Sequence, residues 1–193
     1  MSFDNYFNEP EKYYLNDQNY TECQLITAIN AAICLCELPV LQGSIEYERL
    51  VDMICARCGG AISIEKAWEY LRLKPFNDTF SWKNLNSYLH GQRINTKNPV
   101  EFSLLKKFRH SVLAIDCEKR KGQKYVRVLN PGFHTVGELP TKDGWLKWEP
   151  LVRYAKKWNN GKMPKYFRVF KLDPWYIRQL QIEKNQKIIK VEE

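Results

Sequence analysis

The sequence predicts an α+β fold, with helices leading and an antiparallel sheet following, and three observations carry that expectation. From Cys23 to about Cys36, apolar residues fall at Leu25, Ile26, Ile29, Ala32 and Ile33, which is helical spacing. "HSVLAIDCE", "KYVRVLN" and "KYFRVFKL" alternate instead and are rich in Val, Phe and Tyr, as strands are. The helical segments cluster in the first half and the strands in the second, which opposes a regular βαβ alternation.

The elements follow in order. The first helix has apolar residues around much of its circumference, so it should be largely buried. Thr21 suits its N-cap, and Pro39 follows its stop. A second helix is expected from Glu46 to about Cys55, ending at Gly59-Gly60. A third opens at Ser63 and carries Ile64, Ala67, Trp68 and Leu71 before Pro75. "SWKNLNSYLHG" reads as a short helix capped by Ser81 and closed by Gly91. "PVEFSLL" has period-two character, although Leu104 to Phe108 also fits a helical turn. Between the last two strands lies "WEPLVRYAKKWNNG", whose Pro150 suits a first helical turn and whose Asn-Gly suits a stop. Residues 174–193 carry mixed charge and read as a peripheral helix or loose tail. One domain over residues 1–173, with a short amino-terminal extension, accounts for the rest.

Composition narrows the function classes. The chain has 193 residues, 44% of them hydrophobic and 13% aromatic, enough for a real core. No apolar run approaches the roughly 20 residues that span a bilayer. The amino end, "MSFDNYFNEPEKYY", lacks a basic n-region and an apolar h-region, so no signal peptide is expected. That predicts a cytoplasmic protein, or one packaged in a phage or virus particle.

The net charge of +8 favours acidic partners by long-range attraction. The basic residues are scattered and no nucleic-acid motif accompanies them, so a nucleic-acid partner is not the preferred reading. Six cysteines, at 23, 34, 36, 55, 58 and 117, read as free thiols in such a compartment. Cys55 and Cys58 have zinc-knuckle spacing, and Cys34 with Cys36 would make a second pair. Two positions inside one helix aim side chains about 200° apart, however, which suits one ion poorly. Buried structural thiols are the preferred reading, with no metal or cofactor.

The chemistry concentrates at Cys23, His110 and Asn130. Cys23 opens the buried helix, His110 immediately precedes the strand "SVLAID", and Asn130 ends the strand "KYVRVLN" before Pro131-Gly132. Only a thiolate attacks a carbonyl, and a helix amino terminus favours an anion. A histidine can take the thiol proton and later deliver it to a leaving amine. A neighbouring acceptor orients that imidazole through its other nitrogen. The backbone N–H of Cys23 and the side chain of Gln18 would serve a tetrahedral oxyanion. The bland alternatives are a core cysteine, a structural histidine and an ordinary Asn-Pro-Gly turn. His90 and His134 read as surface histidines.

In order and context these residues resemble papain-like cysteine peptidases: Gln, Cys on the central helix, His opening a strand, then Asn or Asp ending the next. "LVDMICARCGGAISIEKAWEYL" is similar to that family's Cys-x-Gly-Gly segment, with Cys58-Gly59-Gly60 and Trp68-Glu69-Tyr70 in the matching places. The second half is similar to the bacteriocin-processing, double-glycine-leader branch, through Pro99-Val100, His110, Asn130-Pro131-Gly132 and "LVRYAKKW". The resemblance spans roughly residues 13 to 172. It departs at Gln24, where Gly or Trp is usual, and at Gln18, five positions before Cys23 instead of six.

The resemblance implies a papain-like fold, a protein or peptide substrate and a thioester intermediate. In it Cys23 is the nucleophile, His110 base then acid, Asn130 the orienting residue and Gln18 an oxyanion donor. Trp145 and Trp148 would either wall the cleft or fill the core. Three rival readings stand beside it. One is another papain-fold chemistry, such as a cell-wall amidase; the second is a catalytically silent domain that serves as a structural or binding component; the third is a zinc-stabilised nucleic-acid-binding module.

Overall fold

A computed structural model describes residues 23–36, 64–94, 96–104, 110–131, 139–140 and 143–175. The expected helices α1 (Cys23–Cys36), α2 (Ile64–Tyr70), α3 (Trp82–Leu89) and α4 (Trp148–Trp158) are present among them. The strands are β1 (Phe76–Thr79), β2 (Val100–Leu104), β3 (His110–Arg120), β4 (Gln123–Leu129), β5 (Asp143–Lys147) and β6 (Tyr166–Val169). They form one six-stranded sheet in the order β1-β6-β2-β3-β4-β5, and every neighbouring pair is antiparallel. The α+β expectation therefore stands. Thr21, the expected helix at 46–55, Gly59-Gly60 and the tail beyond 175 lie outside the described residues.

Local signals account for most boundaries. The Ser81 hydroxyl accepts from the Asn84 N–H at 3.2 Å and caps α3. Gly91 leaves that helix at φ +69°, and a Cβ there would press on the Thr96 backbone at 3.2 Å. Lys121 and Gly122 both have positive φ, the mirror-image turn that matches the twist of the β3–β4 hairpin. Pro150 occupies the first turn of α4, and Asn160 and Gly161 stop it with φ of 55° and 81°. "PVEFSL" resolves as strand through Leu104, whereas the alternative turn from Leu104 to Phe108 falls on residues 105–109, outside the described residues.

Two strands escaped the sequence reading. β1 is "FNDT" and β5 is "DGWLK", both at sheet edges, where one side needs no partner and polar residues or glycine are tolerated.

The sheet separates two hydrophobic clusters. On one face α1 packs Leu25, Ile26, Ala28, Ile29, Ala32 and Ile33 against Leu113, Ile115, Leu129 and Phe170. On the other, α3 and α4 pack Leu85, Tyr88, Leu151 and Trp148 against Phe102, Val112, Val126, Val128 and Phe167. The register of β3 against β4 shifts between Ala114 and Asp116. The extra residue of that bulge lets Leu113 and Ile115 serve the α1 face while Ala114 and Cys117 serve the other. No helix among the described residues is long and apolar enough to cross a membrane.

Candidate active site

α1 is buried along almost its whole length: Ile26, Ala28, Ile29, Ala31 and Ala32 are fully enclosed, and Gln24 is exposed at its first turn. Small alanines let the helix axis approach the sheet closely, so its position is narrowly defined. Cys23 opens this helix and is 7% exposed. One turn further along, the Thr27 hydroxyl donates to the Ser111 carbonyl at 3.4 Å. That bond ties the amino-terminal half of α1 to the residue that follows His110.

His110 is the first residue of β3 and half-buried, opposite Leu104 of β2. The start of β3 is held from the β2 side as well. The Ser111 hydroxyl donates to Glu101 Oε1 at 2.5 Å, and Glu101 Oε2 pairs with Arg168 Nη1 at 2.5 Å. Glu101 is 3% exposed, so the guanidinium and the hydroxyl supply the polar partners its buried carboxylate requires.

His110 Nε2 is hydrogen-bonded to Asn130 Oδ1. Asn130 follows the last residue of β4 and is fully buried, and its Nδ2 donates to the Pro140 carbonyl at 2.6 Å. This second bond decides the chemistry of the first. A carbonyl only accepts, so the amide end facing Pro140 must be the NH2. The end facing His110 is then the oxygen, which in turn only accepts, so Nε2 must carry a proton and donate it. In the neutral ring the lone pair consequently resides on Nδ1.

Pro140 approaches so closely because of a glycine. A Cβ on Gly144 of β5 would lie 2.8 Å from the Pro140 Cβ, closer than real atoms pack. Gly144, Pro140, Asn130 and His110 thus form one chain of contacts. The sequence reading missed its first two members. Their only local trace is a proline four residues before a glycine, a spacing with no chemical signature of its own.

The structure brings His110 and Asn130 together and places Cys23 on the helix tied to Ser111. Gln18 lies outside the described residues, as do Gly132 and His134. His90 is exposed, with Nδ1 2.9 Å from the Asn86 carbonyl and Nε2 3.6 Å from Asp116. Trp148 belongs to the core, stacked on Phe80 at 5.3 Å, while Trp145 is half-buried beneath the Arg120 guanidinium. Cys34 is buried in the aliphatic cluster. The Cys117 thiol is pushed up to about 12 by burial first, and then by the neighbouring Asp116 and Glu118 carboxylates.

Cys55 and Cys58, and the side chain of Cys36, lie outside the described residues. Among the described residues no group of three or more His, Cys, Asp or Glu side chains is arranged to hold a metal ion. Compared with known proteins, the chain matches no family model, no curated protein and no solved structure.

Proposed function

We propose that the chain is a papain-like cysteine peptidase that hydrolyses peptide or isopeptide bonds through Cys23, His110 and Asn130. The observation that carries this reading is the donor sense of the His110–Asn130 bond, set by Pro140. An amide committed at both ends holds one imidazole tautomer and leaves Nδ1 as the basic atom.

The steps follow from these groups. His110 Nδ1 takes the Cys23 proton, and the thiolate forms a bond to the substrate carbonyl carbon. The carbonyl electron pair moves to oxygen, where the Cys23 backbone N–H, with Gln18 in the family pattern, donates to it. As the C–N bond breaks, the imidazolium returns its proton to the leaving amine and a thioester remains. Water then gives a proton to Nδ1 and adds to the thioester carbonyl. Collapse releases the carboxylic acid, and the sulfur regains its proton. Throughout, Asn130 holds the ring in plane and spreads the imidazolium charge into a buried dipole.

Iodoacetamide labelling at about pH 6 tests the reading, because an activated thiol reacts there while ordinary thiols stay protonated. Cys23 should be modified ahead of the other five cysteines, and His110→Ala should abolish that selectivity. A panel of peptide, isopeptide and muropeptide substrates, with Cys23→Ala as control, then identifies the bond. Equal, slow labelling of every accessible thiol together with no turnover on the panel would leave a catalytically silent domain.

A further inference from the structure

The ladder between β2 and β6 stops early. Val100 pairs with Val169 and Glu101 with Arg168, whereas β6 continues to pair with β1 through Tyr166. Backbone parity shows which groups this strands. The Phe170 N–H donates to the Pro99 carbonyl at 3.0 Å, and the Phe80 N–H donates to the Lys165 carbonyl at 2.9 Å. Even-numbered residues of β6 therefore turn their backbone groups toward β2, and odd-numbered ones toward β1. On β2 the corresponding residues are 99, 101 and then Ser103. The next rung would join Ser103 to Tyr166, and the register has ended before it.

A cavity of about 500 Å³ fills this wedge. Its walls include Phe102 and Phe167, and its mouth is formed by the end of α4 and the turn after it. Trp158, Met163 and Tyr166 are 41%, 48% and 59% exposed there, three large apolar side chains lining a single cavity. Lys162 and Lys165 stand beside them, exposed, and among the described residues neither has a carboxylate partner. The turn itself is braced, because Asn159 Nδ2 donates to the carbonyls of Lys162 and Met163 at 3.3 and 3.1 Å. The wedge is consequently built before any ligand arrives, which lowers the entropic cost of binding.

We propose that this wedge is a docking groove for an acidic peptide segment in extended conformation. Backbone donors and acceptors at Ser103 and Tyr166 would take up the peptide main chain, as an unpaired strand edge does. Alternate apolar side chains of the peptide would enter between Trp158 and Phe167, and its carboxylates would meet Lys162 and Lys165. An extended peptide fits better than single-stranded nucleic acid, because unpaired strand groups recognise a main chain and not a phosphate backbone. The groove opens at the end of the sheet that carries His110, since Leu104, next to Ser103, pairs with it. The inference does not rest on the catalytic reading.

The test uses the full chain carrying Cys23→Ala, so that cleavage plays no part, and a fluorescent hexapeptide alternating glutamate with valine and tyrosine. Saturable binding is expected, weakening about tenfold or more in the Lys162→Glu, Lys165→Glu double variant and with added salt. Methylating alternate backbone nitrogens of the peptide should weaken it similarly. Both lysines are exposed, and a Lys162→Arg, Lys165→Arg pair, which keeps the charge, should bind as the parent chain does; equal weakening in that pair would overturn the role given to the charges. Absence of saturable binding overturns the proposal, as does equal binding of the methylated peptide or by the double variant. Tighter binding of oligothymidylate, displacing the peptide, would overturn it in favour of a nucleic-acid groove.

Discussion

The two faces of the sheet are packed by different means. The α1 face is aliphatic, with Ala28, Ala31 and Ala32 among leucines and isoleucines, so helix and sheet come close and fit tightly. The opposite face is aromatic: Phe80, Phe102, Trp148 and Phe167 meet with ring centroids 5.3 to 6.1 Å apart. Aromatic rings bury more area per residue and hold a rigid platform. Small residues contribute less area but fix a helix within a fraction of an ångström. The proposed nucleophile belongs to the helix on the closely fitted face, while the bulk of the large side chains stabilises the other. Stability and site geometry should therefore respond to different substitutions.

The largest expected effect on stability lies on the aromatic face. Phe102→Ala removes a ring that contacts Phe80, Trp148 and Phe167, and should cost about 3–5 kcal/mol in denaturant unfolding. The variant that remains folded should keep the selective labelling of Cys23, because α1 packs on the other side. A loss of under about 1 kcal/mol would show that the rings do not dominate.

On the α1 face, Ala28→Leu overpacks a fully enclosed position and should cost about 1–3 kcal/mol. Its effect on Cys23 reactivity should exceed what that loss explains, since the helix must move and the Thr27–Ser111 bond must lengthen. Unchanged labelling kinetics would break the distinction between the faces.

Gly144→Ala should be milder in stability, about 1 kcal/mol, yet visible at the site. The new methyl displaces Pro140, and with it the acceptor that orients Asn130. The pH profile of turnover should shift along with a fall of about tenfold in kcat, and the imidazole resonances of His110 should move. A variant with native His110 resonances would remove Gly144 from the positioning chain.

Alkaline pH supplies the smallest and most local test, again on the aromatic face. Burial pushes Cys117 from 9.0 up to about 12. Burial, followed by the Asp78 carboxylate that its hydroxyl bonds at 2.6 Å, pushes Tyr88 from 10.0 up to about 12. Both groups stay protonated in the folded chain while the unfolded chain loses its protons. Their contribution is full below pH 9, and it declines as pH rises from 9 to 12. Cys117→Val should flatten the lower part of that decline. Melting temperatures that stay level to pH 11 in the parent chain would contradict the assignment.

Much of the fold is legible in the sequence because the deciding signals are local. Ser81 and Gly91 bracket α3, and Pro150 with Asn160-Gly161 brackets α4, through backbone chemistry that needs no tertiary partner. β4 and β6 show their alternation because Val126, Val128, Phe167 and Val169 meet the core while Tyr125, Arg127 and Arg168 between them stay half-exposed. β3, buried on both faces, shows as an apolar run. β1 and β5 show neither, since an edge strand can be short and polar. Among the candidate site residues, Cys23, His110 and Asn130 stand out because each combines a reactive or hydrogen-bonding side chain with an element boundary.

By itself, then, the sequence determined the described helices and the inner strands and singled out Cys23, His110 and Asn130 as candidates, because those signals depend on residues within a few positions of one another. The tertiary structure alone decided that a proline carbonyl closes on the Asn130 amide, that Gly144 admits that proline, and that β2 and β6 part after the Glu101–Arg168 pair. Those features arise where segments distant in the chain meet, and contact geometry across a sheet leaves no periodic trace in the residues that make it.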